Sequence, residues 1–87
     1  MRKITMARIE IKTIKQIEKE RNTVHTKVDT TYTCFEFEGK KYVQIDTYGR
    51  SGREIPGKIS QSIQLDRESA EYLVKLLVDE FDIICSN

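Results

Sequence analysis

The sequence predicts an α+β fold: an antiparallel sheet of four to five strands followed by one C-terminal helix packed on one face. Two consecutive segments between Thr33 and Tyr48 alternate apolar and polar residues with period two, as half-buried strands do. A third alternating segment, from Lys58 to Leu65, follows a polar loop. Beyond Asp66, apolar residues recur at the spacing of a helix.

The length predicts one domain. Eighty-seven residues leave no room for a second core. We divide residues 1–87 into a basic N-terminal strand region (1–30), core strands (31–65) and a C-terminal helix (66–84). The chain is 38% hydrophobic and 33% charged, so it should fold but has little apolar material to spare.

The N-terminal region is the least clear in pattern. Alternation from Val24 through Val28 to Tyr32 predicts a strand that continues into Phe37. Residues 7–19 fit a helical stripe imperfectly, and their Ile and Thr content favours extended structure. We therefore predict a strand over residues 7–19 and a turn near residues 21–23.

The strands over residues 33–37 and 41–48 are predicted to form a hairpin with a three-residue loop, Glu38-Gly39-Lys40. This register pairs Phe37 with Lys41 and Phe35 with Val43. It places the apolar side chains on the face that receives the helix. The opposite face would be polar with tyrosines embedded in it, and would carry Tyr32, Cys34, Glu36, Tyr42, Gln44, Asp46, Tyr48, Ser60, Ser62 and Gln64.

The C-terminal helix has a good N-cap in Asp66 and an acidic residue, Glu68, in its first turn. Its apolar surface is wider than one sheet face requires. We expect the additional surface to mediate homodimerisation, although it could instead contact the N-terminal segment. The predicted dimer interface consists of Tyr72, Leu76 and Ile83.

The loop over residues 48–58 contains three glycines together with Arg50, Arg53 and Lys58. Glycine permits a close backbone approach, and these cations suit phosphate. The alternative is a hairpin loop that is polar because it is solvated. The net charge of +1 divides into +5 over residues 1–60 and −4 over residues 61–87. This asymmetry permits a basic face, but the two halves could also complement each other within the fold.

Several functional classes have weak support. No run approaches the roughly 18 apolar residues of a membrane span, and no apolar signal core is present, so we expect a cytoplasmic protein without a membrane partner. Cys34, Cys85 and a single histidine, His25, do not make a typical metal site. We expect no metal, no cofactor and no enzymatic activity, because no nucleophile–base grouping is recognisable. Glu36 and Asp46 could face each other across the hairpin, but such carboxylates are usually only solvated.

Nucleic-acid binding has better support. Single strands are held by cations along the phosphates and by aromatic rings on which bases stack. Tyr32, Tyr42 and Tyr48 lie on the predicted polar face, where basic side chains could surround them. The alternative is that the tyrosines only pack in strands and the hairpin lysines only solubilise. The candidate cations are Lys40, Lys41, Arg50, Arg53 and Lys58.

The chain from Phe35 to Leu77 resembles the DNA-binding domain of the transcriptional positive cofactor four family, which has bacterial and phage relatives. The resemblance rests on Phe37-Glu38-Gly39-Lys40, Val43-Gln44-Ile45-Asp46-Thr47-Tyr48, Pro56-Gly57-Lys58 and Ile63-Gln64-Leu65-Asp66-Arg67-Glu68. It implies a four-stranded antiparallel sheet with a C-terminal helix, dimerisation through the helices and binding of single-stranded or unwound DNA, in some relatives RNA. It also implies that Phe37 stacks on a base and that Lys40 and Lys58 contact phosphates.

The first hypothesis is a non-enzymatic, homodimeric protein that binds single-stranded DNA or RNA with little sequence preference. The second is a protein–protein interaction module that uses the same fold without binding nucleic acid. Replacing Arg50, Arg53 and Lys58 by alanine should weaken binding and reduce its salt dependence under the first hypothesis.

Overall fold

A computed structural model describes residues 5–49 and 59–84 and confirms the α+β fold. Four strands form one sheet in the order β1-β4-β3-β2. The elements are β1 (Thr5–Arg8), a one-turn 3-10 helix (Ile11–Thr13), β2 (Thr30–Phe37), β3 (Lys40–Tyr48), β4 (Ile59–Leu65) and α1 (Arg67–Phe81). β3 pairs antiparallel with both β2 and β4, whereas β1 runs parallel to β4. The sheet is therefore mixed and not wholly antiparallel.

The predicted strand over residues 7–19 is wrong beyond Arg8. The bond from the Ile9 N–H to the Gln64 carbonyl, 3.0 Å, continues the pairing one residue past β1, and the 3-10 helix then turns the chain away. Glu10 caps that turn by accepting a hydrogen bond from the Lys12 N–H at 3.2 Å. Residues 14–29 then follow without a helix or strand.

The strand predicted from Val24 begins only at Thr30. The Tyr48 N–H still bonds to the Asp29 carbonyl at 3.0 Å, but β3 ends at Tyr48, and within residues 5–49 and 59–84 no other strand lies opposite residues 24–28. Val24 is 98% exposed. Period-two alternation was therefore a poor guide where no neighbouring strand is available.

The β2–β3 hairpin turns over two residues and not three. Glu38 and Gly39 both have positive φ, 52° and 77°, as a type I′ turn requires. Phe37 therefore pairs with Lys40, and Phe35 with Tyr42. A shift of one residue moves every side chain of a strand to the other face.

The prediction of which β2 side chains lie on each face of the sheet is therefore wrong. Phe35 and Phe37 lie on the same face as Tyr42, whereas Tyr32, Cys34 and Glu36 lie opposite. Glu36 and Asp46 thus occupy different faces and do not form a carboxylate pair. The predicted facing of β4 relative to β3 is confirmed for Ile63, which pairs with Ile45, and Leu65, which pairs with Val43. It is wrong for Ile59, which pairs with Tyr48 across an irregularity in the register.

The sheet therefore has two distinct faces. The polar face is defined by residues that share a side through the pairing register: Met6, Arg8, Thr31, Thr33, Phe35, Phe37, Lys40, Tyr42, Gln44, Asp46, Ser62 and Gln64. The apolar face is defined in the same way by Ala7, Tyr32, Cys34, Val43, Ile45, Ile63 and Leu65, and it also carries the Glu36–Lys41 pair at its hairpin end.

The helix begins where the sequence predicts, at the Asp66 N-cap. The Asp66 side chain accepts from the Ser69 N–H at 3.0 Å, and the Ser69 hydroxyl accepts from the Asp66 N–H at 3.1 Å, which completes a capping box. The principal contacts of α1 are with β4 and the 3-10 helix. Among the described residues none of the hydrophobic side chains is buried, and Ile63 on the apolar face is 43% exposed.

The chain exposes far more surface than a compact monomer of its size. Its accessible surface is 8,487 Å² for a mass of 10.2 kDa. A folded monomer of that mass exposes about 5,300 Å². The apolar face and the apolar side of α1 account for much of the hydrophobic surface that is left open. No helix in the described part of the chain is long and apolar enough to cross a membrane.

Candidate nucleic-acid interface

The polar face has its side chains in register across three strands. Arg8 on β1 pairs with Gln64 on β4, and Gln64 pairs with Gln44 on β3. Tyr42 on β3 and Phe35 on β2 form the neighbouring row nearer the hairpin. The period of two along each strand therefore brings one cation, two amides and two aromatic rings onto a single surface.

An aromatic–cation stack lies at the centre of this surface. The Phe35 and Tyr42 rings are stacked with centroids 5.5 Å apart and an interplanar angle of 23°. The Arg8 guanidinium lies 5.6 Å from the centroid of the Tyr42 ring, within reach of a cation–π interaction. Its Nη1 also donates a long hydrogen bond, 3.4 Å, to the Tyr42 hydroxyl. These contacts hold the guanidinium and both rings in one arrangement on an open face.

A small pocket opens beside the stack. Its volume is about 250 Å³, and its lining consists of Arg8, Phe35, Phe37, Tyr42 and Gln64. We call this the aromatic pocket. Drug-sized ligands usually occupy pockets of about 300–1,000 Å³, so this one suits a single flat ring system.

A larger cleft adjoins it at the hairpin end of the sheet, with a volume of about 520 Å³. We call this the basic cleft, because four of its side chains are cations and two are anions. It shares Arg8 and Tyr42 with the aromatic pocket. The remaining lining residues are Gly39, Lys40, Lys41, Asp66, Arg67 and Glu68. Arg67 also makes an exposed ion pair with Glu71 at 3.4 Å, which contributes little by itself.

Away from the hairpin, the polar face is organised by a hydrogen-bonded chain of side chains. Gln64 Nε2 donates to Gln44 Oε1 at 2.8 Å, and Gln44 Nε2 donates to Asp46 Oδ1 at 2.9 Å. The Ser62 hydroxyl donates to the same Asp46 oxygen. Asp46 is only 5% exposed and Ser62 only 3%, so this end of the network is sheltered from water.

The site is linked to the start of α1 through Asp66. The backbone N–H of Ser69, followed by the Ser69 hydroxyl, lowers the pKa of the Asp66 carboxyl, and the charge of Arg8 adds to the effect. Asp66 is therefore held ionised, chiefly by the first turn of its own helix, and its negative charge offsets part of the positive charge of Arg8.

The structure brings together some of the predicted site residues. Phe37 and Tyr42 line the aromatic pocket, while Lys40, Lys41 and Tyr42 line the basic cleft. Tyr48 lies at the far end of β3, where its hydroxyl is 2.9 Å from the Thr31 hydroxyl. Arg50, Arg53 and Lys58 lie outside the described residues. The predicted dimer-interface residues Tyr72, Leu76 and Ile83 are exposed.

Two members of the stack were missed from the sequence. The sequence predicts Phe35 on the apolar face because it predicts a three-residue loop, and it predicts Arg8 in a long strand without identifying the strand beside it. The sequence feature that could have placed Phe35 on the polar face is Glu38-Gly39, read as a two-residue turn. The parallel pairing that brings Arg8 beside Gln64 has no local sequence signal, because β1 and β4 are more than fifty residues apart.

No protein-family model matches the chain, and no curated protein or solved structure matches it either. The resemblance to the transcriptional cofactor family therefore stays a prediction.

Proposed function

We propose that this chain is a single-stranded nucleic-acid-binding protein that acts as a homodimer. Bases would stack in the aromatic pocket, and phosphates would lie in the basic cleft. The observation that carries the proposal is that these two sites adjoin and share Arg8 and Tyr42. A nucleotide joins a flat ring to an anion over a short distance, and the two sites offer matching surfaces at that spacing.

The stack supports sequence-tolerant binding. Every base has a π-face, so an exposed aromatic platform accepts any of them and contributes about 1–3 kcal/mol per stacked base. The exposed Phe37 ring at the pocket edge extends the platform formed by Tyr42 and Phe35. A duplex would not reach these rings without unpairing, which favours single strands.

The charges of the basic cleft support moderate, salt-dependent binding. Asp66 and Glu68 offset part of the attraction of Arg8, Lys40, Lys41 and Arg67 for phosphate. Each neutralised phosphate adds about 0.7 to the salt slope of single-strand binding. We therefore expect the salt dependence of the binding constant to correspond to a few neutralised phosphates per subunit.

The open hydrophobic surface supports the homodimer. The large hydrophobic side chains that are exposed include Tyr72, Leu76 and Leu77 on α1 and Ile63 on the apolar face. The apolar sheet face and α1 carry that surface, and the polar face would remain free in a dimer formed through them.

The test is fluorescence anisotropy of the purified protein with labelled single-stranded DNA, its duplex and the matching RNA, at low and moderate salt. Binding that prefers a single strand and weakens with salt supports the proposal. Equal binding to the duplex, or no binding at low salt, contradicts it.

The second candidate is a protein-interaction module, and the same exposed apolar surface favours it. A module of this kind would bind no oligonucleotide in the anisotropy experiment. A stable dimer that binds single strands would exclude it as the main function.

A further inference from the structure

We propose that the aromatic pocket discriminates among bases and prefers guanine at one position of a bound strand. This inference rests on the proposed function and refines it: stacking and phosphate contacts would hold most nucleotides regardless of sequence, while one pocket reads a base edge. The feature that carries it is the direction of the hydrogen-bonded chain that ends at Gln64.

The direction of that chain follows from Asp46. A carboxylate only accepts hydrogen bonds, so Gln44 must turn its Nε2 toward Asp46, as the 2.9 Å contact shows. Gln44 Oε1 then faces Gln64 and receives its Nε2 at 2.8 Å. The sheltered carboxylate of Asp46 thus fixes which way the oxygen and nitrogen of both amides point. In an isolated amide either orientation would be equally compatible with its surroundings.

The consequence is a fixed acceptor at the pocket wall. With one Nε2 hydrogen donated to Gln44, the orientation of the Gln64 amide is set, and its Oε1 has no hydrogen-bond partner among the described residues; the second Nε2 hydrogen is its only other free group. Gln64 lines the aromatic pocket together with Arg8, its direct partner in the β1–β4 register. The pocket therefore pairs a fixed acceptor with a guanidinium donor.

The guanidinium is positioned to donate. Arg8 is held over Tyr42, and its only hydrogen bond within the described residues is the long Nη1 contact to the Tyr42 hydroxyl at 3.4 Å. The other N–H groups of its planar fork remain available for a ligand. Tyr42 therefore fixes where the guanidinium lies without using up its donors.

Guanine matches this combination best. Its O6 and N7 form the acceptor pair that an arginine fork recognises, and this is the most common specific arginine–base contact. Its N1–H lies next to O6, with the N2 amino group beyond it, and these donors can reach Gln64 Oε1. Adenine, cytosine and thymine lack an acceptor pair for the fork beside two adjacent N–H donors.

The experiment measures anisotropy of labelled 15-nucleotide oligo-dT strands in which the central base is thymine, guanine, adenine or cytosine. One guanine per strand avoids self-association of guanine-rich sequences. We expect the guanine strand to bind about tenfold more tightly than the others, within the range for a bidentate base contact. Replacing that guanine by 7-deazaguanine, which lacks N7, should remove much of the difference.

The decisive variant is Asp46→Asn. An amide at position 46 can donate as well as accept, so the chain is no longer obliged to leave an acceptor at Gln64. We expect the guanine preference to fall to about twofold or less, even if the loss of a negative charge strengthens binding to every strand. Ser62→Ala is the matched control, because it removes the other hydrogen bond to Asp46 but keeps the carboxylate, and it should retain the preference.

The outcomes separate this inference from the proposed function. If all four strands bind equally well, the guanine preference is wrong while single-strand binding stands. If Asp46→Asn folds normally by circular dichroism and keeps the full preference, the fixed acceptor is not what reads the base. If no strand binds, both the inference and the proposed function are overturned.

Discussion

At the residue scale, the proposed site depends on Tyr42 more than on any other side chain. Its ring stacks on Phe35, its π-face carries the Arg8 guanidinium, and it borders both the aromatic pocket and the basic cleft. The arrangement is held by aromatic and cation–π contacts and by one long hydrogen bond. The ring itself, and not the hydroxyl, should therefore carry the function.

Tyr42→Ala should weaken single-strand binding about tenfold, because it removes a stacking surface worth about 1–3 kcal/mol. Tyr42→Phe keeps the ring and loses only the 3.4 Å contact to Arg8, so it should bind within about twofold of the parent. Tyr32→Ala is a useful comparison, since Tyr32 is a 74% exposed tyrosine on the apolar face. Anisotropy with a single-stranded oligonucleotide measures all three. Parental affinity in Tyr42→Ala would remove the aromatic pocket from the site.

At the element scale, the β2–β3 turn decides which side chains reach the polar face. Glu38 adopts φ 52°, a left-handed conformation that costs most residues about 1–2 kcal/mol and that asparagine tolerates better. Gly39, at φ 77°, is well suited to its position. The two-residue turn therefore forms despite an unfavourable first residue.

Glu38→Asn should raise the free energy of unfolding by up to about 1 kcal/mol, because Asn-Gly is the preferred type I′ pair. Glu38→Gln removes the same charge without the left-handed preference, and it should leave stability nearly unchanged. Urea denaturation of both variants and the parent gives the comparison. Equal stabilisation by the two substitutions would attribute the gain to charge and would contradict a cost of the left-handed conformation at Glu38.

The Asp66 cap makes the stability of the fold depend on pH. The pKa of this carboxyl is lowered in the folded chain from its ordinary value of 3.8, chiefly by the Ser69 N–H. A lowered folded pKa means that the charged cap stabilises the fold above about pH 4 and that this contribution is lost as pH falls through the folded pKa. Asp66→Asn caps without a charge and should lack this part of the acid dependence. Thermal melts between pH 2 and 7 compare the two. An unchanged acid dependence in Asp66→Asn would show that other carboxyls dominate.

Local patterns were sufficient for the elements that depend on nearby residues. Asp66 and the apolar spacing after it predicted α1, and the alternation of Ile63 and Leu65 predicted the facing of β4. The failures concern pairing. Whether residues 24–29 extend β2 depends on where β3 ends, and the position of Arg8 depends on β1 lying parallel to a distant strand.

The site was predicted only in part for the same reason. Tyr42, Phe37 and Lys40 were recognisable from residue type, but a one-residue error in the turn placed Phe35 on the wrong face. The hydrogen-bonded amides follow from side chains on two strands and have no sequence motif.

At the scale of the whole molecule, the chain is more open than a compact monomer of the same length. Its radius of gyration is 15.4 Å, whereas a compact chain of 87 residues has about 12 Å. Burial of apolar surface is the dominant favourable term in folding, and the described residues bury none of their hydrophobic side chains fully. Association through the apolar surface would supply the missing burial.

We therefore expect light scattering to give twice the 10.2 kDa subunit mass, and the melting temperature to rise with protein concentration. Leu76→Glu places a charge on the exposed apolar side of α1 and should lower both the dimer fraction and the melting temperature. Lys75→Glu introduces the same side chain at the neighbouring polar position and should change them little. A 10.2 kDa species that unfolds cooperatively at micromolar concentration would contradict the dimer.

The central claim is that the polar face of the sheet binds single strands while the apolar face does not. Photocrosslinking to an oligonucleotide that carries 5-bromouracil, with the adducts located by mass spectrometry, tests it most directly. Adducts on Tyr42, Phe35 or Phe37 are predicted. Adducts confined to Tyr32 and Cys34, both exposed on the apolar face, would contradict it.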